Sequence, residues 1–254
     1  MLEMPQRTPK PRKSGLTAMI DFGPDGFGWT GPRGVEDLLE CTAAYIDFAK
    51  IYALNALLLP QEVVTRIVRL YREAHIVPYS GGILFEYAWR RNELDGLARL
   101  LQRLGLAALE ISENYVTLRE DQRAREIERF QKAGFTVIYE FGRKNPERPM
   151  SPSELHSVVD GVAACGVEHV IVEQSEIDAL AAADPGALPR VRGEPWFASV
   201  LIEADPYRFP QQHAKMLAEY GSDVNLANVA PGQVLRLEGM RRGVGRSVDY
   251  ALLE

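Results

Sequence analysis

Only two of the 254 residues are cysteine and only four are histidine. Two cysteines, Cys41 and Cys165, cannot build a disulfide framework. Their Ala-rich, helix-like contexts (ECTAAY, AACGVE) read as buried thiols in a reducing cytosol, so a cytoplasmic protein is expected. His75, His156, His169 and His213 show neither H-x-x-x-H nor H-E-x-x-H spacing and none ends a strand, which points to structural or surface roles. G-x-S-x-G and G-x-G-x-x-G are missing too, removing the nucleophile elbow and the dinucleotide fingerprint. No apolar run reaches the about 18 residues of a membrane span. Positive charge is in deficit, with a net charge of -6, so neither nucleic acid nor membrane is expected as a partner. A small ligand in a locally charged cleft remains compatible with that balance. The opening MLEMPQRTPKPRKSG is basic but has no hydrophobic stretch after it, and residues 1–14 read as a flexible arm.

What the chain does have is 46% apolar residues and a regular alternation of short β-rich runs with longer helical ones. Strands are expected at LTAMID (16–21), YIDFAKI (45–51), IVPYS (76–80), AALEIS (107–112), TVIYEF (136–141), HVIVEQ (169–174), WFASVLIEA (196–204) and DVNLANV (223–229). Amphipathic helices fall between them. In EVVTRIVRLYREA (62–74), Val63, Ile67 and Leu70 share a face, and in LREDQRAREIERFQKAG (118–134) Ile127 and Phe130 point inward before a capping Gly134. Ser151 and Glu154 have the spacing of a capping box. Eight strands alternating with about eight helices specify an α/β fold, a single (β/α)8 barrel over residues 15–254. AADPGALPRVRGEP (182–195) reads as an elaborated loop within it.

In such barrels the active site forms where the strands end. Here the strands end in acid: Asp21, Glu110, Glu140, Glu173 and Glu203, with Asp47 and Lys50 in strand two and Glu86 after strand three. VIYEFGRK shows the pattern, with apolar residues, then Glu140, then Gly142, Arg143 and Lys144. Carboxylates in apolar strands are costly unless paired with cations or bound to metal. Glu110, Glu140, Glu173 and Glu203 converging on one mouth suit a hard cation such as Mg²⁺, although each acid alone would serve as well as a salt-bridge partner or helix cap. Lys50 and Lys144 would balance charge or move protons. Asn225 and Asn228 fall in strand eight and, with Glu86, are candidate substrate contacts. Arg241, Arg242 and Arg246 in the tail MRRGVGRS suit either a phosphate or the dipole of a helix end.

The segments YIDFAK (45–50), GGILFEYA (81–88), ALEIS (108–112), YEFGRK (139–144) and SDVNLANVAPGQVLRLEGMRRG (222–243) resemble the phosphosulfolactate synthase family, in order along nearly the whole chain. The resemblance implies a (β/α)8 barrel and a Mg²⁺-dependent lyase that adds sulfite to phosphoenolpyruvate. It also implies Lys144 as the proton donor and Lys50 as the lysine of strand two. The departures run in one direction. The family's Asp-Lys-Gly becomes Asp21-Phe22-Gly23, and the glycine-rich turn after Lys50 becomes Ile51-Tyr52-Ala53-Leu54-Asn55-Ala56. Gly-Gly-Thr becomes Gly81-Gly82-Ile83, and Glu-x-Arg-Glu-Ser becomes Glu173-Gln174-Ser175-Glu176-Ile177. Each lost charge-assisted contact removes about 1.5–3 kcal/mol of anion binding.

Three readings follow. The first is a family enzyme with a less anionic small-molecule substrate, walled by Phe22, Tyr52, Leu54 and Ile83, with Glu140, Lys144, Glu173 and Lys50 as the chemical groups; the apolar four would equally pack beneath a loop. The second keeps sulfite addition, with Arg143, Arg241, Arg242 and Arg246 on the phosphate. The third is a non-catalytic ligand-binding barrel, against which the desolvation cost of four strand-end glutamates speaks. Association through outer helices into a homo-oligomer is compatible with each.

Overall fold

The computed structural model describes residues 3–254. Eight parallel strands close on themselves in chain order. They are β1 Thr17–Asp21, β2 Phe48–Ile51, β3 Val77–Ser80, β4 Ala108–Ser112, β5 Thr136–Phe141, β6 Val170–Val172, β7 Val200–Glu203 and β8 Leu226–Val229. Pairing of β1 with both β2 and β8 completes the ring, so no strand edge is left open. The principal helices around it are α1 Pro32–Thr42, α2 Gln61–Glu73, α3 Gly82–Arg90, α4 Leu94–Leu104 and α5 Glu120–Lys132, then α6 Pro152–Ala163, α7 Gln174–Ala183, α8 Gln211–Tyr220 and α9 Val234–Arg241. The expected (β/α)8 barrel is the observed fold.

Strand periodicity divides the core in two. Outward residues such as Met19, Ala49, Leu109, Val137 and Val172 pack against the helices. Inward ones form a separate interior layer, one per strand: Ala18, Phe48, Tyr79, Ala108, Ile138, Ile171, Leu201 and Ala227. Small residues at β1, β4 and β8 leave room for the rings of Phe48 and Tyr79, which meet edge-to-face at 6.5 Å.

Local chemistry accounts for the element ends. Ser151 Oγ accepts from Glu154 N at 3.2 Å, and Ser151 N donates to the Glu154 carboxylate at 2.8 Å, which starts α6 as the sequence predicts. Gly134, after α5, takes a φ of 89° that a side chain would resist. Strand two is shorter than expected because Ala43–Tyr45 make a 3-10 turn, and strand seven because Pro195 opens another over Pro195–Ser199. The expected loop at 182–195 contains a short helix, Ala187–Val191. The buried stripe of α2 is Val64, Ile67, Val68 and Tyr71 rather than Val63, Ile67 and Leu70: this complete i, i+3, i+4, i+7 series rolls the helix so that the Tyr71 hydroxyl donates to Asp21. Cys41 is exposed and Cys165 half-buried, so neither is the buried thiol their contexts suggest. Among the described residues no helix is long and apolar enough to cross a membrane.

The end of the barrel opposite the strand carboxyl termini is closed by polar groups. Asn225 accepts from Leu16 N at 3.0 Å and donates to the carbonyls of Ala198 and Val200. Arg241, at the foot of α9, donates to the carbonyls of Ser222, Val224 and Leu16. Arg12 pairs with Asp47 at 3.3 Å, and Arg7 pairs with Glu238.

Candidate active site

Counting two residues onward from the interior apolar layer gives the next inward ring. It reads Ile20, Lys50, Gly81, Glu110, Glu140, Glu173 and Glu203 on β1 to β7 or just beyond them. Five charged side chains thus reach one plane because the strand period is two. On β8 the register against β1 slips between Leu226 and Val229, and Asn228 takes a φ of 56°. This bulge turns Asn228 toward Glu203, where its amide donates to Oε1. Asn tolerates the left-handed conformation better than a branched residue would.

Each carboxylate is oriented by its neighbours. Glu110 Oε1 accepts from Gly82 N at 2.7 Å, and Oε2 faces Lys50 Nζ at 2.9 Å. A Cβ on Gly82 would lie 2.3 Å from Ser112 Oγ and 3.0 Å from Glu110 Oε1, so only glycine lets the α3 N-terminus reach this carboxylate. Glu203 Oε2 accepts from Gln174 N at 2.8 Å, at the start of α7. Glu173 accepts from Ser175 N and Oγ at 3.4 and 3.3 Å and pairs with Lys144. Glu140 Oε1 has Lys144 Nζ at 4.0 Å and no hydrogen-bond donor.

Gly142 makes the placement of Lys144 possible. Its φ is 117°, and a Cβ there would lie 2.4 Å from Glu176 Cγ and 2.9 Å from Glu173 Cβ. The chain leaving β5 can therefore turn closely over the end of β6 and bring Lys144 back onto Glu173.

Four buried carboxylates face two ammonium groups, an excess of two negative charges if all are ionised. Burial, reinforced by Glu203 and Glu140, pushes Glu173 up to about 9, and burial pushes Glu110 up to about 8 against the pull of Lys50. Burial would also raise Glu140, but Lys50 and Lys144 outweigh it and hold that carboxyl at about 2. Burial would lower both lysines; the surrounding glutamates prevail and keep both above the usual lysine value, hence charged.

The donor set fits a divalent metal ion. One carboxylate oxygen from each of Glu140, Glu173 and Glu203 lies within 4.8 Å of the others. Glu140 Oε1 and Asn228 Oδ1 are buried without a donor. Hard oxygens, two of them unsatisfied, and carboxyl groups whose protons a metal ion would displace suit a divalent cation.

Several expected residues lie elsewhere. Asn225 and Arg241 belong to the opposite end of the barrel. Arg242, on the same helix end, pairs with Glu238 at 2.7 Å and covers Tyr45, and Arg246 follows it on the surface. Arg143 turns outward to Thr117. Glu86 accepts from the Ser112 hydroxyl and from the backbone of Asn114, Tyr115 and Val116, shaping the loop after β4. Phe22 and Tyr52 meet above β1 and β2 with ring centres 4.8 Å apart. Ile83 is half-buried in the first turn of α3, and Leu54 packs on the outer core. The polar residue the sequence reading omits is Tyr79. Its unpartnered hydroxyl lies inside the barrel beside Lys50, among residues whose only signal is strand parity.

A family model described as (2R)-phospho-3-sulfolactate synthase (ComA) matches residues 5–246. The phosphosulfolactate synthase of Methanothermobacter thermautotrophicus is 30% identical over 246 residues, covering 94% of this chain and 93% of that protein. That of Bacillus subtilis is 29% identical over 259 residues, covering 96% and 95%. Among solved structures, deoxyribose phosphate aldolase from Aeropyrum pernix superposes with a TM-score of 0.54 at 13% identity, over 90% of this chain and 91% of that one. Dihydrodipicolinate synthase from Oceanobacillus iheyensis gives 0.53 at 12% identity, over 93% and 76%. Identities this low speak to the shared barrel alone. With a family match over nearly the whole chain and the acid-lined barrel mouth together, the chain is a lyase-type enzyme and belongs to the phosphosulfolactate synthase family.

Proposed function

We propose that this enzyme performs acid–base addition, elimination or enolisation next to a carbonyl or carboxylate, on a small molecule less anionic than phosphoenolpyruvate. The observation that carries this reading is that both lysines of the mouth are already paired with buried glutamates. Lys50 is held by Glu110 and Lys144 by Glu173, while Ser175, where the family resemblance expects arginine, spends its hydroxyl on Glu173. A substrate with three negative charges would have to draw both ammonium groups away from these carboxyl partners. Phe22 and Tyr52 add apolar surface on the opposite arc.

Lys144 is the proton donor in this scheme. Its ammonium is charged, one-third exposed, and backed by Glu173. Protonation of an enolate carbon leaves the neutral amine at Nζ, and the reverse transfer generates the enolate. Lys50, deeper and almost fully buried, stays charged and stabilises negative charge that develops on the substrate oxygen. Glu140, Glu173 and Glu203, with Asn228 Oδ1, are the residues that would hold Mg²⁺. When bound, it would offset the carboxylate excess and act as a Lewis acid toward a substrate oxygen.

Two assays on the Mg²⁺-supplemented protein test this. Phosphoenolpyruvate with sulfite is expected to give no phosphosulfolactate. Unphosphorylated 2-oxo acids in D₂O are expected to exchange their C3 protons, and Lys144→Met to abolish that exchange. Efficient sulfite addition to phosphoenolpyruvate would overturn the reading in favour of the parent reaction.

A further inference from the structure

Four aromatic rings line one arc of the mouth: Phe22 and Tyr52 directly follow β1 and β2, and Phe27 and Tyr207 come from loops farther along the chain. Phe27 belongs to a two-stranded ribbon, Pro24–Asp25 with Gly28–Trp29, inserted after β1. Tyr207 lies in the loop after β7. Ring centres run from Tyr52 to Phe22 at 4.8 Å, Phe22 to Phe27 at 5.5 Å and Phe27 to Tyr207 at 4.7 Å. Around the barrel the order is β2, β1, β8, β7. The arc therefore faces the β4–β6 side, which carries Glu110, Glu140 and Glu173.

This arc is constructed by the backbone. Phe27 N donates to Asp25 Oδ1 at 2.8 Å, and Phe27 O accepts from Gly232 N at 2.9 Å. A Cβ at Gly28 would come within 2.7 Å of Pro231, and one at Gly232 within 2.8 Å of Phe27 O, so two glycines permit the ribbon to dock on the turn after β8. That same turn holds the other ring: Gln233 Nε2 donates to Pro206 O at 2.8 Å, and Asp205 caps Tyr207 N at 2.9 Å. Tyr207 nevertheless keeps 83% of its surface exposed, and Tyr52 43%. Loops pinned this firmly while presenting bare rings are shaped for a ligand.

We propose that Phe22, Phe27, Tyr52 and Tyr207 are specificity-determining residues that bind an aromatic ring of the substrate, whose carbonyl or carboxylate end reaches Lys144. This rests on the proposed acid–base function and adds a substrate class to it. Ring centres 4.7–5.5 Å apart are in mutual contact, so the rings form a wall and leave no cage for an ammonium ion. Successive inclinations of 57°, 36° and 84° offer both faces and edges, the surfaces with which an aryl group pairs better than an alkyl group of equal size.

Phenylacetate and cyclohexylacetate, equal in charge and carbon number, are the probes, titrated by NMR into the Mg²⁺-supplemented protein. Phenylacetate is expected to bind roughly two- to tenfold tighter for each ring of the wall that its aryl group meets by edge or face. Tyr207→Leu, at an exposed position where folding is insensitive, and Phe27→Leu, which keeps the backbone pins, are each expected to erase most of that preference. Lys144→Met is expected to keep it, which separates ring recognition from the chemistry: preference without proton exchange would sink the acid–base reading alone. Equal binding of the two probes, binding of neither, or a preference indifferent to both wall variants overturns the proposal. So does a change of oligomeric state in those variants without a change in probe preference, which would make the wall a contact between copies.

Discussion

In the proposed site Glu173 would couple proton and metal, and replacing it with glutamine tests that coupling quantitatively. Its carboxyl is pushed up to about 9, whereas in the unfolded chain it titrates near the ordinary 4.5. The native state therefore holds a proton that the unfolded state gives up. Without metal, stability is full at low pH and falls as pH rises toward 9, at up to about 1.4 kcal/mol per unit for this group. Mg²⁺ held by Glu173 would displace the same proton, so its affinity is expected to rise tenfold per pH unit between about pH 6.5 and pH 8.5. At a concentration one hundred times the Kd, binding adds about 2.7 kcal/mol, which for a chain of this size is a shift in Tm of roughly 5–11 °C. Thermal melts followed by circular dichroism, in EDTA and in excess MgCl₂ across this pH range, read both effects. Glu173→Gln mimics the protonated acid while removing a ligand oxygen. It is expected to remove its own share of the decline in EDTA, leaving the part below about pH 8 that belongs to Glu110, and to lose most of the Mg²⁺ shift. A wild-type Mg²⁺ shift independent of pH, or a Glu173→Gln protein that keeps the full shift, would refute the assignment of Glu173 as the coupled group.

His213 is fully buried with neither ring nitrogen hydrogen-bonded, and burial, helped by Arg241, pulls it down to about 4. Protons bind the unfolded chain first, so about 3 kcal/mol of stability should be lost as pH falls from 6.5 to 4; denaturant titrations of His213→Leu should show that loss removed. Gly142→Ala forces a side chain into the left-handed region against Glu173 and Glu176. It should cost about 1–3 kcal/mol in urea unfolding and about a hundredfold in kcat through displacement of Lys144. Arg241→Met strands three carbonyls at the closed end of the barrel, so unfolding should become easier by about 3 kcal/mol while KM and kcat of the folded enzyme hold; a raised KM would return Arg241 to the substrate.

The charged ring was legible in the sequence because strand parity is a local property. Phe48 to Lys50, Ala108 to Glu110, Ile138 to Glu140, Ile171 to Glu173 and Leu201 to Glu203 are each two residues apart, so an inward apolar residue announces an inward charged one. Parity does not say which end of a strand a residue occupies. Asn225 has the same parity as Ala227 but lies toward the opposite opening, and its amide closes the barrel floor. The tail arginines follow from another geometric rule. A helix that starts at a strand's carboxyl end returns toward the floor, so the end of α9 carries Arg241 away from the mouth. Basic residues after a barrel helix are thus poor candidates for the site, whatever their match to a phosphate. Asn228 needed one more fact, a register slip that reverses parity at a single residue. The aromatic wall was the least legible. Its rings come from loops separated by up to 185 positions between Phe22 and Tyr207 (207 − 22), and only the docking of two loops on the turn at 231–233 brings them together. Local periodicity wrote the charged half of this mouth. Loop packing wrote the half that faces it, and that is where a shared barrel can change its substrate without disturbing the charges beneath.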